Sequence, residues 1–204
     1  MSVKPDPLHF DTLYHIYNRG INRGNIFFED RNYDYFLTQF FKHAAGYFDT
    51  FAYCLLPNHF HFLLRVRSEA EILACGASCS PSQKFGNFLN GYAKAINKTY
   101  DRSGSLFQQR FPRKPVLSDS YLSRLVTYIH HNPQRHGLIN DFRDWPYSSY
   151  WELANPAGGP LAYDDVMSWY GDGDAAAGPA PFISAHDLER IDYSPTFDYS
   201  PVNA

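Results

Sequence analysis

The chain has 204 residues, 44% of them apolar and 19% charged, which suits one packed domain and excludes a wholly disordered protein. Its net charge of −3 conceals an asymmetry: residues 1–150 carry 17 Lys and Arg against 12 Asp and Glu, and residues 151–204 carry 1 against 9. Such a division points to an anion-binding body with an acidic tail. Three cysteines, Cys54, Cys75 and Cys79, make no disulfide framework; the N-terminus does not read as a signal peptide, and no apolar run approaches the ~18–20 residues of a membrane span.

In chain order, residues 13–18 (Leu-Tyr-His-Ile-Tyr-Asn) are aromatic and β-branched, end at Arg19-Gly20 and predict a strand. Asp30 is placed to cap a helix whose apolar positions Tyr33, Phe36, Leu37, Phe40 and Phe41 recur at three and four, ending near Gly46. Residues 51–56 predict a second strand, Pro57-Asn58 a turn, and residues 59–66 the returning hairpin partner. The small residues within 69–82 predict a loop. Phe85, Phe88, Leu89, Tyr92, Ala93 and Ile96 then form the apolar stripe of a second helix, with Lys84, Lys94 and Lys98 on its polar side. Residues 106–111 predict a short extended run ended by Pro112 and Pro115. A third helix, capped by Ser118 or Asp119, carries Leu122, Leu125, Val126 and Ile129 and should end at Asn132-Pro133. Beyond Trp151 come 6 Pro and 5 Gly with the acidic excess, which predicts a peripheral or partly disordered tail. Strands and helices mixed in this order suggest an α+β fold, an antiparallel sheet covered by helices.

Three constellations could carry chemistry. Strand alternation puts His59 and His61 on one face, opposite Phe60 and Phe62, so two imidazoles stand side by side and can converge on one metal ion. A bare His-x-His is equally a polar sheet face, but a strand with an apolar far side is buried, and buried imidazoles need partners. On the third helix, Tyr128 and Asn132 are one turn apart at the border of the apolar face, able to present a phenol oxygen and a carbonyl oxygen to the same point. The plainer reading is a packed ring and an asparagine closing a helix before proline; His130 and His131 read as exposed helix-end residues. From Lys84 to Arg135 there are nine Lys and Arg against two acids, interleaved with Phe107, Gln108 and Gln109. Such a run is either a solvated face or a nucleic-acid groove in which cations meet phosphates while rings and amides meet bases.

Taken together, Leu56-Pro57-Asn58-His59-Phe60-His61-Phe62, Gln108-Gln109-Arg110-Phe111, Tyr128-Ile129-His130-His131-Asn132-Pro133 and Trp145-Pro146-Tyr147-Ser148-Ser149 resemble the HUH single-tyrosine transposases, and among them most closely the REP-associated tyrosine transposases. The resemblance spans roughly residues 10–151, which implies a transposase domain over 1–154 and leaves 155–204 as the acidic tail. It implies a ferredoxin-like (RRM-like) antiparallel sheet packed with helices, with Tyr128 as nucleophile, His59 and His61 as metal ligands and Asn132 as the third. The metal implied is Mg²⁺ or Mn²⁺, suited by two imidazoles, an amide oxygen and open positions. The substrate implied is single-stranded, hairpin-forming DNA, cut and rejoined through a covalent 5′-phosphotyrosine without a nucleotide cofactor. DNA contacts are expected from Arg19, Lys94, Lys98, Phe107, Gln108, Arg110, Arg113, Lys114, Arg124 and Arg135. A cytoplasmic, nucleoid-associated monomer or homodimer is the corresponding expectation, with no membrane partner. The alternative is a non-catalytic single-strand-binding module on the same fold, whose mark would be loss of Tyr128 or of a histidine; neither is lost.

Overall fold

Four strands built on two-residue alternation form the centre of the molecule: β1 (Leu13–Arg19), β2 (Phe48–Leu56), β3 (His59–Val66) and β4 (Arg113–Pro115). All pairs are antiparallel, in the order β2-β3-β1-β4. The computed structural model describes residues 6–169 apart from 77, 109 and 156–158, with the backbone alone at 119 and 120. Between the strands run α1 (Asp30–Ala44), α2 (Glu69–Ala74) and α3 (Pro81–Thr99), and after them α4 (Asp119–Arg135), α5 (Tyr150–Ala154) and α6 (Tyr163–Ser168). This is the expected α+β architecture, a βαββαβ ferredoxin-like sandwich.

β3 is covered on both faces because its alternate residues serve two cores. Phe60, Phe62, Leu64 and Val66 join Phe36 and Phe40 of α1 and Phe85, Phe88 and Tyr92 of α3. On the far face Leu63 joins Leu122, Leu125, Val126, Tyr128 and Ile129 of α4. His59 and His61 share that far face and are therefore held against α4. A register shift between Thr50 and Ala52 inserts one extra residue in β2, which lets both Phe51 and Ala52 pack on the α4 side. At the end of β1 any side chain on Gly20 would run into the carbonyl of Gly24, so only glycine allows the chain to turn away directly after Arg19.

Several expectations need correction. The fourth strand forms at Arg113–Pro115, while residues 106–111 contribute only an isolated bridge between Phe107 and Gly20. Of the two prolines that should have ended a strand, Pro112 directly precedes this one and accepts from Tyr17 N–H, and Pro115 is its last residue, a place an edge strand tolerates. The segment 69–82 is not all loop: Ser68 and Glu71 make a reciprocal capping box that starts α2. Helix α4 continues through Pro133 to Arg135. The amide donor that proline lacks is partly replaced by the Asn132 side chain, whose Nδ2 donates to the carbonyls of Tyr128 at 2.9 Å and Ile129 at 3.4 Å. His130 is buried, with Nε2 2.8 Å from Ser149 Oγ, and His131 stacks on Phe142, so neither is the exposed residue expected.

The Trp-Pro-x-Ser-Ser segment covers the free edge of β2. Trp145 Nε1 donates to the Leu55 carbonyl, Leu55 N–H to the Tyr147 carbonyl, and Tyr53 N–H to Ser149 Oγ. Composition put residues after 154 at the periphery, yet part of that segment packs on the same strand. Leu161 bridges Thr50, Val166 is fully buried, and the Trp169 ring lies 5.0 Å from that of Phe51. The remaining tail, 170–204, lies outside the described residues. No helix among the described residues is long and apolar enough to cross a membrane.

Candidate active site

His59 opens β3, opposite Arg19 of β1, and His61 follows opposite Tyr17. Each has one ring nitrogen engaged and one bare. Asn58 Nδ2 donates to the Arg23 carbonyl, which orients the amide so that its Oδ1 faces His59 Nδ1 at 2.6 Å. His59 therefore carries its proton on Nδ1 and a lone pair on Nε2. His61 Nδ1 lies 2.9 Å from Nε2 of His15, a residue of β1. Nε2 of His59 and Nε2 of His61 are both buried and have no hydrogen-bond partner among the described residues. The two rings stand 5.3 Å apart, edge to face.

Burial, the largest cause, holds both imidazoles well below their ordinary pKa; His136 and Arg19 add to it at His59, and His15, His59 and His136 at His61. Both rings are thus neutral at pH 7, the state in which an imidazole ligates a metal. His15, lowered to about 3 by burial and then by Lys114, is neutral as well. So is His130, lowered to about 3 by burial and then by His131.

These four rings have a consequence for stability. Their unfolded pKa is near ~6.5, so as pH falls below that value the unfolded chain takes up protons that the native state refuses. Stability is then lost on the acid side, by up to roughly 1.4 kcal/mol per pH unit for each group. The thermal midpoint should be flat above pH 7 and fall steeply between about pH 6.5 and 4. A midpoint unchanged from pH 7 to pH 5 would show that these imidazoles are not buried neutral.

Tyr128 projects from α4 onto this face. It is 1% exposed, with its ring edge-on to His61 at 5.9 Å and to His15 at 6.3 Å, and the Arg135 guanidinium lies 5.2 Å from its centroid. The ring is thus enclosed, with the Arg135 guanidinium over its face. Asn132, one turn on, is buried with its amide hydrogens on the helix carbonyls, so only Oδ1 is left to act as a ligand. Two bare imidazole nitrogens and an amide oxygen fit a hard divalent ion that keeps further positions for water or phosphate oxygens. Among the described residues no group of three or more His, Cys, Asp or Glu side chains is arranged to enclose an ion.

Five of the ten expected DNA contacts line two cavities, and the other five lie elsewhere. Arg19 is buried beside His59 and, with His136, Asn25 and Leu138, lines a cavity of about 220 Å³ at His59. Lys94, Phe107, Gln108 and Arg110 line a larger one of about 590 Å³ between α3 and residues 104–111, together with Asn18, Asn90 and Asn97. Arg113 and Lys114 lie on edge strand β4, the former 4.4 Å over the Phe111 ring. Lys98, Arg124 and Arg135 are exposed, and Gln109 lies outside the described residues. Two site residues escaped the sequence reading. His15 shares a strand face with Tyr17 and Arg19, a signal that alternation alone supplies; His136, 4.8 Å from the His59 ring, is brought there by the continuation of α4 past Pro133.

No family profile matches the chain. It is 28% identical over 149 residues to a Haemophilus influenzae protein provisionally named a REP-associated tyrosine transposase, an alignment covering 66% of this chain and 84% of the relative. Its fold is similar to that of a solved structure described as a REP-associated tyrosine transposase bound to a REP hairpin, with a TM-score of 0.61, 19% identity, and 90% of this chain and 100% of the other covered. The sequence comparison points to the group of proteins that the motifs resemble, and the structural one shows a shared fold.

Proposed function

We propose that this relative of the REP-associated tyrosine transposases is a DNA strand transferase that cuts and rejoins single-stranded, hairpin-forming DNA. The observation that carries the reading is the pair of buried Nε2 atoms of His59 and His61, without a partner among the described residues, with the His61 ring edge-on to that of Tyr128. A buried polar atom without a partner costs about 1–3 kcal/mol, which a fold keeps where a ligand supplies the partner. His59, His61 and Asn132 Oδ1 would hold Mg²⁺ or Mn²⁺, which when bound polarises a phosphodiester and offsets the charge that develops on it.

The Tyr128 oxygen attacks the phosphorus; its bond to phosphorus forms as the bond to the 3′ oxygen breaks, and the phenol proton ends on the departing 3′-hydroxyl. The product is a 5′-phosphotyrosine, and the reverse step rejoins the strand with no net change in bond type, so no nucleotide cofactor is consumed. The cationic side chains would hold the phosphates on either side, with Arg19 nearest the histidine pair and Lys94 and Arg110 at the larger cavity. One nucleophile per chain handles one strand at a time, which favours a single-stranded substrate.

Incubation with Mn²⁺ or Mg²⁺ and a hairpin carrying single-stranded flanks should give a covalent protein–DNA adduct and a free 3′-hydroxyl end. The same sequence annealed to its complement should give neither. Equal cutting of the duplex would overturn the single-strand reading. Tight binding of hairpins with no cutting of any would favour the binding-module alternative.

A further inference from the structure

We propose that His15 is a positioning residue that accepts the Nδ1 proton of His61 and so keeps His61 Nε2 free to take a divalent cation. This deepens the reading above and rests on it for the role of the metal.

His15 pairs with Leu63 across β1 and β3, which sets it diagonally from His61 on the same sheet face. The two rings stack at 5.1 Å with an interplanar angle of 23°, and Nε2 of one lies 2.9 Å from Nδ1 of the other. Both residues are buried, and Lys114 is opposite His15 on β4, so a second positive charge on the His15 ring is disfavoured. Two neutral imidazoles meeting nitrogen to nitrogen share one proton, which leaves two arrangements.

In the first, His61 Nδ1–H donates to His15 Nε2, and the far nitrogen of His61 carries a bare lone pair. In the second, His15 donates, and the proton of His61 moves to Nε2. There it would be a buried N–H with no acceptor, and it would close that nitrogen to any cation. Only the first arrangement spares His61 a buried donor of its own and leaves it a ligand nitrogen; the proton of His15 then lies on its Nδ1. Asn58 does the same for His59 through the 2.6 Å contact at Nδ1, so the two rings are oriented by different partners.

The test uses the full chain and two variants. His15→Phe keeps an aromatic ring against Tyr17 and Tyr128 but removes the acceptor; His15→Gln keeps an acceptor oxygen. Imidazole ¹⁵N NMR without metal should show His61 as the Nδ1–H tautomer in the wild type and in the Gln variant, and shifted towards Nε2–H in the Phe variant. Mn²⁺ titration followed by EPR should show affinity lowered about 10–100-fold in His15→Phe and restored to within a few-fold in His15→Gln. A wild-type His61 protonated on Nε2, or a folded Phe variant with unchanged tautomer and Mn²⁺ affinity, would overturn the proposal. Should the Phe variant not fold, the wild-type and Gln tautomers still decide it. A wild type that shows the Nδ1–H tautomer but binds no Mn²⁺ would leave His15 in its place and refute the metal reading instead.

Discussion

Tyr128→Phe should abolish strand cleavage and the covalent adduct while leaving the fold and hairpin affinity near wild type. The substitution removes one oxygen and keeps the ring, and the ring makes the edge-on contacts with His15 and His61 and lies under the Arg135 guanidinium. If Tyr128 were only a packed aromatic, losing the hydroxyl would cost about 0.5–1.5 kcal/mol of stability and no activity. If it is the nucleophile, no bond to phosphorus can form and both products vanish together. Tyr121 lies two turns away on the same helix and half-buried, too far to substitute for it. Peptide mapping of adduct from the wild type should place the nucleotide on Tyr128. Adduct on another residue, or undiminished cleavage by the variant, would refute the assignment.

What the sequence shows and what it hides can be separated on physical grounds. The sheet and its two principal helices follow from periodicity: β3 alternates histidine with phenylalanine over residues 59–62, and α1 and α3 space their aromatics at three and four. The histidine pair and Tyr128 come from the same alternation and helical geometry, and the fold brings them within ring contact of one another. What failed depends on tertiary partners. Proline at 133 argues locally for a helix end, but the Asn132 amide supplies a donor to the Ile129 carbonyl that proline leaves open, and α4 runs on and delivers His136 to the site. His130 resembles a helix-end residue until Ser149, 19 positions on, reaches its Nε2. The acidic segment after 154 reads as peripheral because its few apolar residues are sparse, yet Leu161, Val166 and Trp169 are spaced to meet the bulged edge of β2. His15 was visible only as one member of a strand, since its importance lies in a contact made across 46 residues.

Replacing either ligating histidine should have an effect as large as replacing the tyrosine, but by a different route. His59→Ala and His61→Ala should each abolish metal-dependent cleavage and reduce Mn²⁺ binding below detection, because one imidazole and an amide oxygen hold a divalent ion poorly. Hairpin affinity should stay within a few-fold of wild type, since most of the expected phosphate contacts are elsewhere, at Lys94, Arg110, Arg113 and Lys114. Each variant should also lose some stability: His59→Ala strips Asn58 Oδ1 of its donor, and His61→Ala removes the partner of His15 Nε2. Melting curves must therefore accompany the activity data. Asn132→Ala is the instructive contrast. As a ligand its amide oxygen is the weakest of the three and water can replace it, so cleavage should fall less than with either histidine variant. As a structural group, however, it patches α4 ahead of Pro133, so its loss should cost about 1 kcal/mol or more. The histidine variants should thus be folded and inactive, and the asparagine variant less stable but active. Normal cleavage by both histidine variants would show that no metal is held at this pair, whatever the fate of Tyr128.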